Sequence, residues 1–94
     1  MAAPTPLQTL DDAIGSVRRL QTSGLQASSG RSAARELEQL LRELTARRQE
    51  VAAGGSIDRA WAGRTVRWVA EWLPDDELPL LARLGAIARA GTPT

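Results

Sequence analysis

The residue types that usually carry chemistry are mostly missing from this chain. Its 94 residues include no His, Cys, Lys or Tyr. A Ser–His–Asp triad, a Cys–His pair, a Schiff-base lysine and a zinc site with nitrogen or sulfur ligands are therefore excluded. Carboxylates, arginines and hydroxyls remain. The one dense acidic cluster is Asp75-Asp76-Glu77. A hard cation needs oxygen ligands at spaced positions, whereas adjacent carboxylates at a helix start act as caps and complement the helix dipole. Gly54-Gly55-Ser56 reads as a turn followed by a cap, not as a phosphate loop. No catalytic residue, no cofactor and no metal site is expected, and the chain is not read as an enzyme.

What could act is charge and aromatic surface. All twelve basic residues are arginine, against eleven acids, for a formal net charge of +1. So even a balance gives no strong field for nucleic acid or for a membrane surface. The all-arginine usage fits a GC-rich bacterial genome. Trp61, Trp68 and Trp72 are the only aromatic residues. On a helix they fall within roughly 40° of one another, with Ile57 and Thr65 on the same stripe and Ala62, Val66, Val69 and Leu73 beside it. So wide an apolar arc belongs to a core-forming helix. Its polar side carries the arginine row Arg59, Arg64 and Arg67, and Asp75, Asp76 and Glu77 stand opposed to that row in sign. Arg48 lies close to the apolar line of Leu37, Leu41 and Leu44, so that it either snorkels at the rim, pairs with a buried carboxylate or faces a partner.

Four helices are needed to place these groups, at about residues 5–22, 32–53, 57–73 and 76–90. Thr5-Pro6-Leu7-Gln8 has the form of a capping box with proline in the first turn, and Gly24 is a natural stop. Residues 25–30, L-Q-A-S-S-G, read as a flexible connector, the most mobile internal segment. Ser32 caps the second helix, whose Glu38–Arg42 and Glu43–Arg47 spacings suit exposed ion pairs. Gly54-Gly55 turns the chain, Ser56 caps the tryptophan helix, and Pro74 ends it. In the last helix Leu78, Leu81, Leu84, Gly85 and Ala88 form the inner face, with Gly85 admitting a bulky neighbour from the tryptophan stripe. Leu80 and Ile87 lie to one side, either completing the core or leaving an apolar shoulder. Residues 1–4 and 92–94 read as loose tails. The expected fold is a single all-α domain, a small antiparallel four-helix bundle with the tryptophan-bearing third helix central.

The triplet Trp61-Ala62-Gly63 is similar to the W-x-G signature of small secreted helical-hairpin proteins. That family places the signature in the turn between two helices and carries a C-terminal tyrosine signal. Here the triplet falls inside a helix and the chain has no tyrosine. In size, helical make-up and charged helix faces the chain also resembles small adaptor domains of the death-fold type, including those attached to bacterial defence effectors, although no specific motif carries that likeness. The resemblance implies an adaptor role. The functional expectation is thus a non-enzymatic, cytoplasmic helical module that binds another protein or itself. Its candidate contact residues are Arg48, Arg59, Arg64, Arg67, Asp75, Asp76, Glu77, Leu80 and Ile87. Two other readings are a small nucleic-acid-binding regulator using the arginine face and a bundle holding an apolar ligand beside the tryptophans. No transmembrane span or signal peptide is expected.

Overall fold

The computed structural model describes residues 5–90; both expected tails lie outside them. The chain forms α1 (Pro6–Ser23), α2 (Ala34–Ala52), α3 (Arg59–Trp72) and α4 (Leu78–Ala90), with one 3-10 turn, Asp75–Glu77, before α4. It is an all-α four-helix bundle, with no strand among the described residues.

The first helix begins as its sequence requires. Thr5 accepts from the Gln8 amide at 3.1 Å, and the Gln8 side chain accepts from the Thr5 amide at 3.1 Å, so two amides that the helix leaves over are satisfied reciprocally. It ends at Gly24, whose φ of 69° is left-handed. There the Leu25 amide donates to the Leu20 carbonyl and the Gly24 amide to that of Gln21, both at 3.2 Å, the paired bonds of a Schellman stop.

Two helix starts lie two residues later than expected. The cap position of α2 is Ala33, fully buried, and no side chain caps it. Ser32 accepts from the Ala34 amide instead. For α3 the cap is Asp58 rather than Ser56, and its carboxylate accepts from the Ala60 amide at 2.9 Å. Ile57 and Ala62, both buried, then occupy the two positions of a hydrophobic staple. Anchoring Ile57 in the core keeps the chain extended there and delays the helix. Before α3, the Gly55 amide bonds the Glu50 carbonyl at 2.8 Å. A β-carbon at Gly55 would sit 2.8 Å from that same oxygen, so the turn has room for glycine alone.

Segment 25–30, expected to be flexible, is bonded within the loop that runs to Ala33. Ala27 and Arg31 are joined by a 2.7 Å backbone bond, Gly30 donates to Ala27, and Ala33 donates to Leu25. The Ser28 amide also donates to the Trp72 carbonyl at 2.8 Å. That bond fastens the connector to the last turn of α3 and satisfies a carbonyl the helix end would leave open.

Helix α1 packs closely on both α2 and α4, and α3 packs closely on α4. The ion pair Arg83–Asp12 and the cluster of Ser16, Leu20 and Ser23 with Glu77 and Leu80 show that α4 runs antiparallel to α1. No backbone approach of that kind joins α2 to α3. The tryptophan helix is therefore not the central one expected: it packs closely on α4 alone, and it reaches α2 through side chains, the Trp61 indole donating to Glu43 at 3.4 Å. The core is built from Leu10, Val17, Leu37, Leu40, Leu44, Val69 and Ile87, all essentially inaccessible, with Ile57, Trp61 and Leu84 beside them. No helix among the described residues is long and apolar enough to cross a membrane.

Candidate functional site

The tryptophan stripe is inside. Trp61, Thr65 and Trp72 are buried and Trp68 is half-buried, its ring meeting that of Trp72 edge-on with centroids 5.3 Å apart. Trp61 is held from the α2 side by two charged groups, with the Arg47 guanidinium 5.4 Å from its ring centroid and the Glu43 carboxylate on its N–H. The expected Glu43–Arg47 pair is thereby replaced, since Arg47 reaches Glu50 at 3.5 Å. The expected Glu38–Arg42 pair is present at 3.6 Å.

Arg48 is a rim residue, ion-paired with Asp11 of α1, the two side chains being 41% and 46% exposed. It ties α2 to α1. Arg59, Arg64 and Arg67 are exposed along the outer side of α3. Arg59 makes contacts of its own; Arg64 and Arg67 have no ion-pair partner among the described residues. The acidic group is displaced from its expected role. Asp75, Asp76 and Glu77 form their own 3-10 turn before α4 starts, and no side-chain cap forms there. Asp75 and Asp76 are exposed and Glu77 is half-buried. Among the described residues no three carboxylates converge as a cation would require.

The apolar shoulder is corrected outright. Leu80 is 2% exposed and Ile87 1%, so both belong to the core and neither can meet a partner. The buried line of α4 is Leu80, Leu84 and Ile87, with Leu81 and Ala88 at its flank. Leu78, assigned to the inner face, is 56% exposed and is the one large apolar side chain at the surface among the described residues. Helix α4 is apolar on more than one face, and its pattern admits either solution. Gly85 has no tryptophan above it, since a β-carbon there would meet only the Arg89 guanidinium, at 3.5 Å.

A site without a motif lies at the tethered end of the bundle. There the connector, the start of α2 and the end of α3 enclose a cleft of about 570 Å³, edged by Ser29, Arg31, Arg35, Glu36 and Trp72. Its rim is polar, unlike a pocket for an apolar ligand. Trp72 Nε1 and Glu36 Oε2, on two of the residues that line it, are buried without a hydrogen-bond partner. Sequence spacing carries no sign of this cleft, because the Ser28–Trp72 bond that assembles it joins residues far apart in the chain.

No protein-family model, no curated protein and no solved structure matches the chain.

Proposed function

We propose that this chain is a non-enzymatic helical interaction module that binds another protein or a second copy of itself through charged surface patches. The observation that carries the reading is the segregation of charge. Arg64 and Arg67 lie unpaired on the outer side of α3, while Asp75 and Asp76 project from the corner before α4, next to the exposed Leu78. Patches of opposite sign at different places on one surface suit a heterologous, head-to-tail contact. A solvent-facing leucine beside the acidic patch adds apolar area at its centre, as interface anchors do. The lack of histidine, cysteine, lysine and tyrosine favours binding over chemistry as the role.

The test uses two complementary variants, Arg64→Glu with Arg67→Glu, and Asp75→Lys with Asp76→Lys. Wild type is expected to grow in mass with concentration in light scattering and to return to monomer at high salt. Each variant alone is expected to stay monomeric. Mixed, they restore both contacts, the Glu-bearing α3 of one against the Lys-bearing corner of the other and the native arginines of the second against the native acidic corner of the first, and are expected to assemble as alternating copies. A mixture that stays monomeric while wild type assembles would remove this pairing of patches. A wild type that is monomeric throughout would leave only a different protein as partner.

A further inference from the structure

We propose that the cleft between α1 and α4 binds a small zwitterion, an α-amino acid with a short aliphatic side chain. The site shares no residue with Arg64, Arg67, Asp75, Asp76 and Leu78, the patches invoked for partner binding, and does not depend on that reading.

The cleft has a volume of about 330 Å³, at the small end of the roughly 300–1,000 Å³ range of ligand sites. Helix α1 lines it with Ser16, Arg19 and Leu20, and the chain around the start of α4 lines it with Glu77, Leu80 and Arg83. Leu20 and Leu80 are buried and give it an apolar floor. Its rim carries both signs of charge, and the antiparallel order of the helices separates them. Arg83 reaches Asp12 near the start of α1 at 3.9 Å. The Arg19 guanidinium bends back in the same direction, donating to the Ser16 hydroxyl at 3.2 Å. Glu77, six residues before Arg83, lies toward the other end of α1. Among the described residues its half-buried carboxylate takes part in no ion pair or hydrogen bond.

Opposite charges thus line one cleft without pairing across it. Arg83 is offset by Asp12, which leaves Arg19 against Glu77 and no net charge for a simple ion to seek. An anion drawn to Arg19 is repelled by Glu77, and a cation drawn to Glu77 is repelled by the arginines. A zwitterion satisfies both ends: its carboxylate accepts from Arg19 and Arg83, and its ammonium donates to Glu77. In an α-amino acid the side chain leaves the carbon that bears both charged groups, so it falls between the two ends, over Leu20 and Leu80. The recognising groups are held before a ligand arrives. Arg19 is tied to Ser16, which is 7% exposed, and the Glu77 amide is bonded to the Pro74 carbonyl at 3.0 Å. Groups already ordered lose less freedom on binding.

The test is titration of the whole nitrogen-15-labelled chain, followed by NMR at neutral pH and constant ionic strength. The ligands are leucine, glycine, and leucine's two halves: isoamylamine, which lacks the carboxylate, and isocaproate, which lacks the ammonium. Leucine is expected to give saturable millimolar binding with shifts at Ser16, Arg19, Glu77 and Leu80. Each half is expected to bind more weakly by about tenfold or more, since charge-assisted hydrogen bonds are the strong ones. Glycine is expected to be weaker by about fivefold or more, for want of apolar contact. Glu77→Gln is expected to lower leucine to the level of isocaproate and to leave isocaproate at least as tight as before. Arg19→Gln is expected to weaken leucine and isocaproate while leaving isoamylamine at least as tight. Circular dichroism of each variant confirms that the fold is kept, and a merely structural role for either residue would weaken every ligand alike. That uniform loss, a half or glycine binding as tightly as leucine, shifts confined to other parts of the molecule, or no saturation at tens of millimolar would each overturn the proposal.

Discussion

Single residues in this molecule differ widely in what they contribute, and burial sorts them. Leu44 is fully enclosed, and Leu44→Ala is expected to cost about 2–5 kcal/mol, the transfer term plus the cavity left behind. The Arg48–Asp11 pair joins two helices but sits half in water, and Arg48→Ala is expected to cost under about 1 kcal/mol. Urea denaturation of the two variants separates these outcomes, and a large loss at Arg48 would mean that its aliphatic stem matters more than its charge. The pattern around Leu37, Leu41 and Leu44 made the rim position of Arg48 legible from sequence. The pattern could not show its partner, because Asp11 lies on another helix. The same holds for Glu43 and Arg47: local spacing pairs them, and only the fold brings Trp61 between α2 and α3 to claim both.

The elements show where local rules suffice. The α1 capping box, the Gly24 stop, the Gly54-Gly55 turn and the end of α3 before Pro74 follow from chemistry within a few residues, and all stand where the sequence places them. Ser56 is as good a capping residue as Asp58, and Ser32 still accepts from the Ala34 amide although Ala33 holds the cap position. What displaced them is burial of Ala33 and Ile57, a tertiary constraint. Helix α4 is the clearest failure of periodicity, since two apolar lines run along it and only packing against both α1 and α3 selects Leu80, Leu84 and Ile87. The glycines yield a direct test at this scale. Gly15 and Gly63 are inside helices, and a β-carbon at either meets nothing within 4 Å. Gly15→Ala and Gly63→Ala are each expected to stabilise by about 0.5–1 kcal/mol through backbone entropy alone. Gly24→Ala should destabilise by about 1 kcal/mol or more, because its φ of 69° is costly for any residue with a β-carbon. Thermal melts of the three variants should therefore move in opposite directions, and a lower midpoint for Gly15→Ala would contradict the open space around it.

For the molecule as a whole, number and order of helices were legible because each apolar run is long, periodic and bounded by strong stop signals. The charged patches were legible too, since Arg64, Arg67, Asp75 and Asp76 stand exposed as their positions imply. The polar cleft was not, because its walls come from three segments with no shared motif and its key side chain, Trp72, reads as core. The side-by-side, antiparallel docking of α1 and α4 has one more consequence. It brings the start of the first helix and the far end of the last to the same pole of the bundle. A short linker could join them, and the order of the helices along the chain could then be changed without changing their neighbours. The seam between α2 and α3 lacks close backbone contact, which makes the Gly54-Gly55 turn the natural place to open the circle. A circular permutant beginning there should retain native helicity and tryptophan emission. One opened at Ser29, inside the connector fastened to Trp72, should unfold at lower denaturant.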